Sequence, residues 1–262
     1  MENPNGEPTD EVMGIDVGGS GVKGGVVDLS RGLLLTDRRR IDTPEPATPA
    51  AVTEVISRLV AHFDWDGAVG VAIPAVVRHG IVLSAANIDD SWLGDDAEER
   101  FSAALGRPVP VLNDADAAGL AEVRYGGARG RTEGVVIVLT FGTGIGSAVF
   151  VEGRLVPNTE LGHLELGGGE AEKWTSAKVR RREGLSWEDW GRRVGTYLRH
   201  VEGLFSPDLI IIGGGVSKRT EEFFPYLDTE APVVAAELEN RAGVVGAAWH
   251  ASRREIRGDD SV

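Results

Sequence analysis

The sequence predicts an α/β fold in which one unit is traversed twice. Two observations predict it. A glycine-rich turn at residues 18–21 lies between apolar runs at 12–17 and 22–27, and a second at 142–146 lies between runs at 135–141 and 148–151, so each reads as a β-hairpin. Behind each hairpin, helical stripes alternate with short buried strands, which is the pattern of an internally duplicated α/β unit with a cleft between its halves. At 262 residues the chain is long enough for two modest lobes with real cores.

Taken in order, residues 33–41 extend the first hairpin as a third strand until Thr43-Pro44-Glu45-Pro46 breaks it. Thr48 is a helix N-cap with Pro49 at the first helical position, and Val52, Val55, Ile56, Leu59, Val60 and Phe63 recur at helical spacing. Residues 69–73 read as a buried strand, 76–83 as a turn and strand around His79-Gly80, 95–105 as a helix and 109–112 as another strand. Asn113-Asp114-Ala115-Asp116 ends that strand, and a helix over 117–125 follows. Polar groups at a strand's carboxyl end face the ligand crevice of an α/β sheet.

From Gly134 the hairpin pattern restarts, and a polar stretch then carries Glu160-Leu161-Gly162-His163 and Glu172. Ser186 caps a helix striped by Trp187, Trp190, Val194, Tyr197, Leu198, Val201 and Phe205, with Asp189 completing a capping box. A strand over 207–212 runs into Gly213-Gly214-Gly215. A short helix over 221–227, a short strand over 232–235 and a closing helix over 242–251 complete the second round. Residues 1–10 and 253–262 are polar and aperiodic, as loose tails are.

Composition excludes several classes. No apolar run approaches the roughly 20 residues needed to span a bilayer. With no cysteine there is no disulfide and no thiolate metal site, which fits a cytoplasmic protein and leaves oxygen ligands for any metal. A net charge of −14 opposes general binding to nucleic acid or an anionic membrane. An anionic substrate therefore needs a local basic patch.

The two turns supply chemistry as well as shape. Glycines without Cβ let successive N–H groups point into a concavity that can cradle phosphate oxygens. A structural hairpin turn needs one or two glycines. These turns also bring Asp16, Ser20, Lys23 and Thr143, side chains suited to magnesium or phosphate. Neither the P-loop nor the Rossmann fingerprint is present.

In this order, Asp16-Val17-Gly18-Gly19-Ser20 with Lys23, Asn113-Asp114-Ala115-Asp116, Thr143-Gly144-Ile145-Gly146, Glu160-Leu161-Gly162-His163 and Ile212-Gly213-Gly214-Gly215-Val216 closely resemble the ROK family of sugar kinases. The resemblance runs from about Met13 to His250. It implies the two-lobed, actin-like ATPase (ribonuclease H-like duplicated) fold, with lobes over 11–112 and 113–240 and the closing helix, 241–252, packed back on the first. Residues 139–148, 157–165 and 113–120 resemble the subgroup that phosphorylates glucose with inorganic polyphosphate. Two departures agree with it. The cysteine-rich zinc motif that many members carry after the Gly-His pair is replaced by Leu166-Gly167-Gly168-Gly169-Glu170-Ala171-Glu172, so no zinc is expected, and the segment before Met13 is too short for the DNA-binding domain of the family's repressors.

Phosphoryl transfer rests on positioning and charge neutralisation, with a carboxylate to take the proton of the attacking hydroxyl. The resemblance assigns that base to Asp114, with Asp116 the competitor, and hexose contacts to Asn113, Glu160, His163 and Glu172. Gly18, Gly19, Ser20, Gly21, Lys23, Gly142, Thr143, Gly144, Gly214 and Gly215 would hold donor phosphates, which are those of polyphosphate or ATP, and Asp16 a magnesium ion. Lys173, Lys178, Arg180, Arg181 and Arg182, with Arg192 and Arg193 after them, concentrate positive charge and form either a polyphosphate track or the solvated face of two helices. Glu165 and Glu170 read as solvated surface charges. Relatives imply a homodimer whose cleft closes on hexose.

Overall fold

A computed structural model of the chain describes residues 10–85 and 88–257. It divides into one unit of residues 1–121 and 241–262 and a second of 122–240.

In the first unit, β1 (Glu11–Gly18) and β2 (Gly21–Asp28) form the expected hairpin, in register from Glu11↔Asp28 to Gly18↔Gly21. The third strand is not continuous. It is split into β3 (Leu33–Leu34) and β4 (Arg39–Ile41), both antiparallel to β2. Between them the Val26 carbonyl accepts from Leu35 N–H at 2.8 Å, but Val26 N–H bonds to the Thr36 hydroxyl at 3.3 Å, so a side chain takes the place of one ladder carbonyl there. The helix α1 (Pro49–His62) begins at Thr48, whose hydroxyl accepts from Ala51 N–H. Then come β5 (Val69–Ile73), the small hairpin β6 (Val77–Arg78) and β7 (Ile81–Val82), α2 (Ala97–Leu105) and β8 (Val111–Asn113). The sheet order is β3-β2-β1-β5-β8, with β1, β5 and β8 parallel. Val52, Ile56 and Leu59 of α1 are fully buried in the core formed with this sheet.

The helix after β8, α3 (Asp114–Tyr125), starts three residues before the expected 117. The boundary between units lies inside α3, after Ala121 and not after Leu112. Its first turns belong to the first unit because they continue β8 directly and Ala117 packs there with Ala72 and Leu112.

The second unit repeats the plan. Its hairpin is β9 (Val135–Phe141) and β10 (Ile145–Val151), extended by β11 (Arg154–Val156), a strand not expected from sequence. The polar stretch also forms a two-residue hairpin, β12 (Glu165–Leu166) and β13 (Gly169–Glu170), turned by Gly167 and Gly168 at φ 66° and 86°. Three helices follow: α4 (Glu172–Thr175), α5 (Ala177–Glu183) and α6 (Trp187–Phe205). Ser186 and Asp189 start α6 as expected, the Ser186 hydroxyl accepting from Asp189 N–H and donating to its carboxylate. Next come β14 (Leu209–Gly214), α7 (Thr220–Phe223) and β15 (Val233–Ala235). The expected helix over 221–227 is one turn of α-helix, then a 3-10 turn whose second residue is Pro225. Strand order is β11-β10-β9-β14-β15, with β9, β14 and β15 parallel. In each unit, then, the hairpin's first strand sits mid-sheet, antiparallel partners on one side and parallel on the other. Trp190, Val194, Tyr197 and Leu198 of α6 are fully buried, with Phe141 edge-on to Trp190 at 5.7 Å.

The closing helix α8 (Ala242–Arg257) packs on β1 and β5 of the first unit. It continues beyond the expected end at 252, so residues 253–257 are helix and not tail; the other expected tail residues, 1–9 and 258–262, lie outside the described residues. Its approach is close. A Cβ on Gly14 would lie 1.8 Å from the Val244 carbonyl oxygen, and one on Gly70 2.0 Å from that of Ala247.

Candidate active site

In the first turn the β1–β2 register places Asp16 opposite Lys23, and Lys23 Nζ donates to Asp16 Oδ2 at 3.1 Å. Thr43 donates to the Gly18 carbonyl at 2.5 Å, and Arg40 donates to that of Ser20. A trans peptide points its N–H opposite to its C=O. Gly19 N–H is thereby turned away from Thr43, and a Cβ on Gly19 would meet nothing within 4 Å. The position is a glycine facing open space, as backbone approach by phosphate requires. Gly243, at the start of α8, backs onto Asp16: a Cβ there would lie 2.8 Å from Asp16 Cγ. Asp16 thus offers one hard oxygen, Oδ1, opposite the lysine-bound one. That donor fits magnesium, which takes one or two carboxylates and completes its shell with water and substrate phosphate.

At the end of β8, Asn113 is 7% exposed. Its Oδ1 accepts from Ala115 N–H (2.8 Å) and Asp116 N–H (3.1 Å), and its Nδ2 donates to Ala75 O at 3.1 Å. Asn113, and neither aspartate, is therefore the N-cap of α3, which is why the helix starts early. The two aspartates differ in access. Asp116 is 2% exposed, whereas Asp114 is half-buried with Oδ1 on Ala115 N–H at 2.8 Å.

In the second unit, Glu160, His163, Glu170 and Glu172 gather. His163 Nε2 lies 3.8 Å from Glu160 Oε2 and its Nδ1 3.7 Å from Glu170 Oε1. His163 is exposed, not a buried structural histidine. The turn carrying them is pinned by Ser147, whose hydroxyl donates to Thr159 O (2.6 Å) and accepts from Leu161 N–H (2.9 Å). Burial pushes the Glu160 carboxyl up, His163 opposes that shift, and Glu172 adds to it. Glu172 Oε2 accepts from Ile145 N–H at 3.1 Å. Beneath it the buried Tyr197 phenol is pushed up by desolvation and then by the Glu172 charge.

Glu170, expected as a solvated charge, instead pairs with Lys173 at 2.8 Å and faces His163. Its contacts depend on the β12–β13 hairpin folding back, which no local periodicity signals. His163, Glu170 and Glu172 have ligand atoms within 4.8 Å of one another, a group able to hold a metal ion, although Lys173 already neutralises Glu170. Glu165 is exposed as expected.

In the second glycine-rich turn, Gly142 N–H bonds to Gly144 O at 2.9 Å, closing it, and Thr143 is exposed. A Cβ on Gly142 or Gly215 would meet nothing within 4 Å. Gly144 and Gly214 have internal reasons for being glycine. A Cβ would lie 2.2 Å from Glu172 Oε2 in the first case and 2.4 Å from Phe141 O in the second, where φ is also 81°.

The basic segment separates by partner. Lys173 pairs with Glu170 and Arg182 with Glu183, while Arg192 and Arg193 pair with Glu188 and Glu183. The Arg180 guanidinium carbon lies over Trp187, 3.6 Å from the ring centroid. Burial pushes its guanidinium down, as do the nearby Arg219 and Arg181, against an opposing Glu222. Lys178 and Arg181 are exposed at helical i, i+3 positions, on one face of α5. Thr43, Arg40 and Ser147, which hold the turns, escaped sequence reading because their partners are backbone carbonyls and amides distant in sequence.

The chain is 49% identical over 248 residues to polyphosphate glucokinase of Mycobacterium tuberculosis (strain CDC 1551 / Oshkosh), covering 94% of this chain and 93% of that one. The crystal structure of inorganic polyphosphate/ATP-glucomannokinase from Arthrobacter sp. strain KM superposes with a TM-score of 0.88 at 51% identity, covering 93% and 99% of the two chains. A ROK family glucokinase from Streptomyces griseus, in complex with glucose and AMPPNP, gives a TM-score of 0.78 at 26% identity over 93% and 99%. The fold is the two-lobed actin-like ATPase fold of these kinases. Residues 12–178 match the ROK family, and with near full-length likeness to its members the chain belongs to that family.

Proposed function

We propose that the protein transfers a phosphoryl group from inorganic polyphosphate, with ATP as a second donor, to the 6-hydroxyl of glucose. The observation that carries this reading is the near full-length likeness to polyphosphate glucokinase and polyphosphate/ATP-glucomannokinase. The latter name also favours mannose as a second acceptor.

Asp114 is the general base. It is the accessible member of its pair, and a base must reach the proton it takes. Asn113, Glu160, His163 and Glu172 pair with sugar hydroxyls, since each polar group left unpaired in a closed site costs about 1–3 kcal/mol. Gly18, Gly19, Ser20, Gly21 and Lys23 receive the transferring phosphate. Gly142, Thr143, Gly144, Gly214 and Gly215 hold the rest of the donor. Magnesium, held by Asp16, supplies positive charge to the phosphate oxygens when bound. In the donor track, Lys178 and Arg181 carry the role given at first to all five basic residues, because Lys173 and Arg182 are held by Glu170 and Glu183 and Arg180 lies over Trp187.

The test is hexose phosphorylation with polyphosphate and ATP as competing donors over glucose, mannose and fructose. Hexose phosphate from glucose with both donors is expected, and none with either donor would leave a sugar sensor of the same fold. Asp114→Asn should lower turnover by at least about a thousandfold while glucose still binds. Retained turnover would move the base elsewhere.

A further inference from the structure

We propose that Glu172 is a positioning residue that couples the acceptor sugar to the donor turn. The inference rests on the reading of Glu172 as a hexose contact and adds a second task to it.

The segment from Ala171 to Lys178 grips the donor turn at both ends. Glu172 Oε2 accepts from Ile145 N–H at 3.1 Å, on the outgoing strand, and Lys178 N–H donates to the Gly142 carbonyl at 3.0 Å, on the incoming side. The Glu172 carboxylate also fills the space beside Gly144, where a Cβ would lie 2.2 Å from Oε2. No side chain fits at residue 144 while Glu172 holds this position. The segment is anchored in turn. The buried Trp190 donates from Nε1 to Thr175 O at 2.9 Å, and Thr175 Oγ1 donates to Ala171 O at 2.7 Å. Ala171 N–H donates to Leu164 O at 2.8 Å, tying it to the turn that carries Glu160 and His163. One short, rigid stretch thus bears a sugar-binding carboxylate and sets the shape of the donor turn. A hexose that fixes Glu172 fixes residues 142–145 with it, so each substrate raises the affinity for the other.

Steady-state kinetics of Glu172→Gln and Glu172→Ala, with glucose and donor varied in turn, test this. Glutamine keeps an oxygen for Ile145 N–H and loses the charge; alanine loses both. The expected result is a donor KM raised about tenfold in Glu172→Ala but kept within about twofold in Glu172→Gln, with glucose KM raised in both. A raised glucose KM with an unchanged donor KM in both variants overturns the coupling and keeps the sugar reading. An unchanged glucose KM in both overturns the sugar reading, and the coupling falls with it. Gly144→Ala carries the test should Glu172→Ala fail to fold. It displaces the carboxylate from the other side and should raise glucose KM several-fold, although residue 144 belongs to the donor turn. A donor-only effect there also overturns the coupling.

Discussion

Glu160 is under opposing demands. In its proposed role as an acceptor for a sugar hydroxyl it would serve best ionised, yet burial pushes its carboxyl above the ordinary value near 4.5, with His163 opposing and Glu172 adding to the shift. A raised carboxyl binds its proton more tightly in the folded chain than in the unfolded one. Its stabilising contribution is therefore complete below the ordinary value and is lost as pH rises through the raised one. Glu160→Gln should remove that loss. The variant should gain thermal stability relative to the parent as pH goes from 4 to 8, while its glucose KM rises about tenfold. Thermal melts across that range read the first effect and initial rates the second. A parent that gains on the variant with rising pH would reverse the assignment.

At the scale of elements, the glycines divide by what surrounds them. Gly14, Gly70 and Gly246 meet backbone carbonyls where α8 lies on β1, β5 and α3, with distances of 1.8, 2.0 and 1.7 Å for an added Cβ. Gly19 and Gly215 meet nothing. Gly70→Ala should cost about 2–4 kcal/mol, because backbone on both sides must shift. Gly19→Ala should change stability by less than about 1 kcal/mol but raise donor KM for polyphosphate and ATP alike. Denaturant melts beside donor kinetics separate the two, and a Gly19→Ala that leaves donor KM alone removes that turn from the phosphate site. The same contrast shows what the sequence could reveal. Hairpins, α1 and α6 were legible because their patterns are local: Thr48 and Ser186 cap, and Val52, Ile56 and Leu59 repeat on one face. The split between β3 and β4 was not, because it depends on Thr36 reaching Val26, and β11 was not, because three edge residues carry too short an alternation. The early start of α3 was hidden because its cap, Asn113, is the last residue of β8, and its Oδ1 takes the N–H groups of Ala115 and Asp116 ahead of any apolar stripe. The motif residues of the candidate site could be named only through family resemblance; the place of Glu170 beside them could not, since it reaches His163 only through β12 and β13.

Over the whole molecule, 41 acidic against 27 basic side chains leave a net charge of −14, which repels a polyanion at long range. At about 0.15 M salt the Debye length is about 8 Å, so that repulsion is largely screened and only cations in contact with the phosphate chain decide binding. Among the described ion pairs, Lys178, Arg180 and Arg181 of α5 have no acidic partner; Arg180 lies over Trp187, which leaves Lys178 and Arg181 exposed on one face, with Lys178 N–H on Gly142 O of the second glycine-rich turn. ATP has a short triphosphate and polyphosphate a long one, so contacts beyond the turn serve polyphosphate selectively. Two exposed ion contacts at about 0.5–1 kcal/mol each amount to roughly a tenfold change in affinity. The double variant Lys178→Ala/Arg181→Ala should raise the polyphosphate KM by about that factor, more for longer chains, and leave the ATP KM within about twofold. Arg182→Ala, which removes one of the two arginines on Glu183 and leaves Arg193 there, should change neither donor. Donor kinetics with polyphosphates of graded length decide it: equal losses for ATP and polyphosphate would return the basic face of α5 to the solvent.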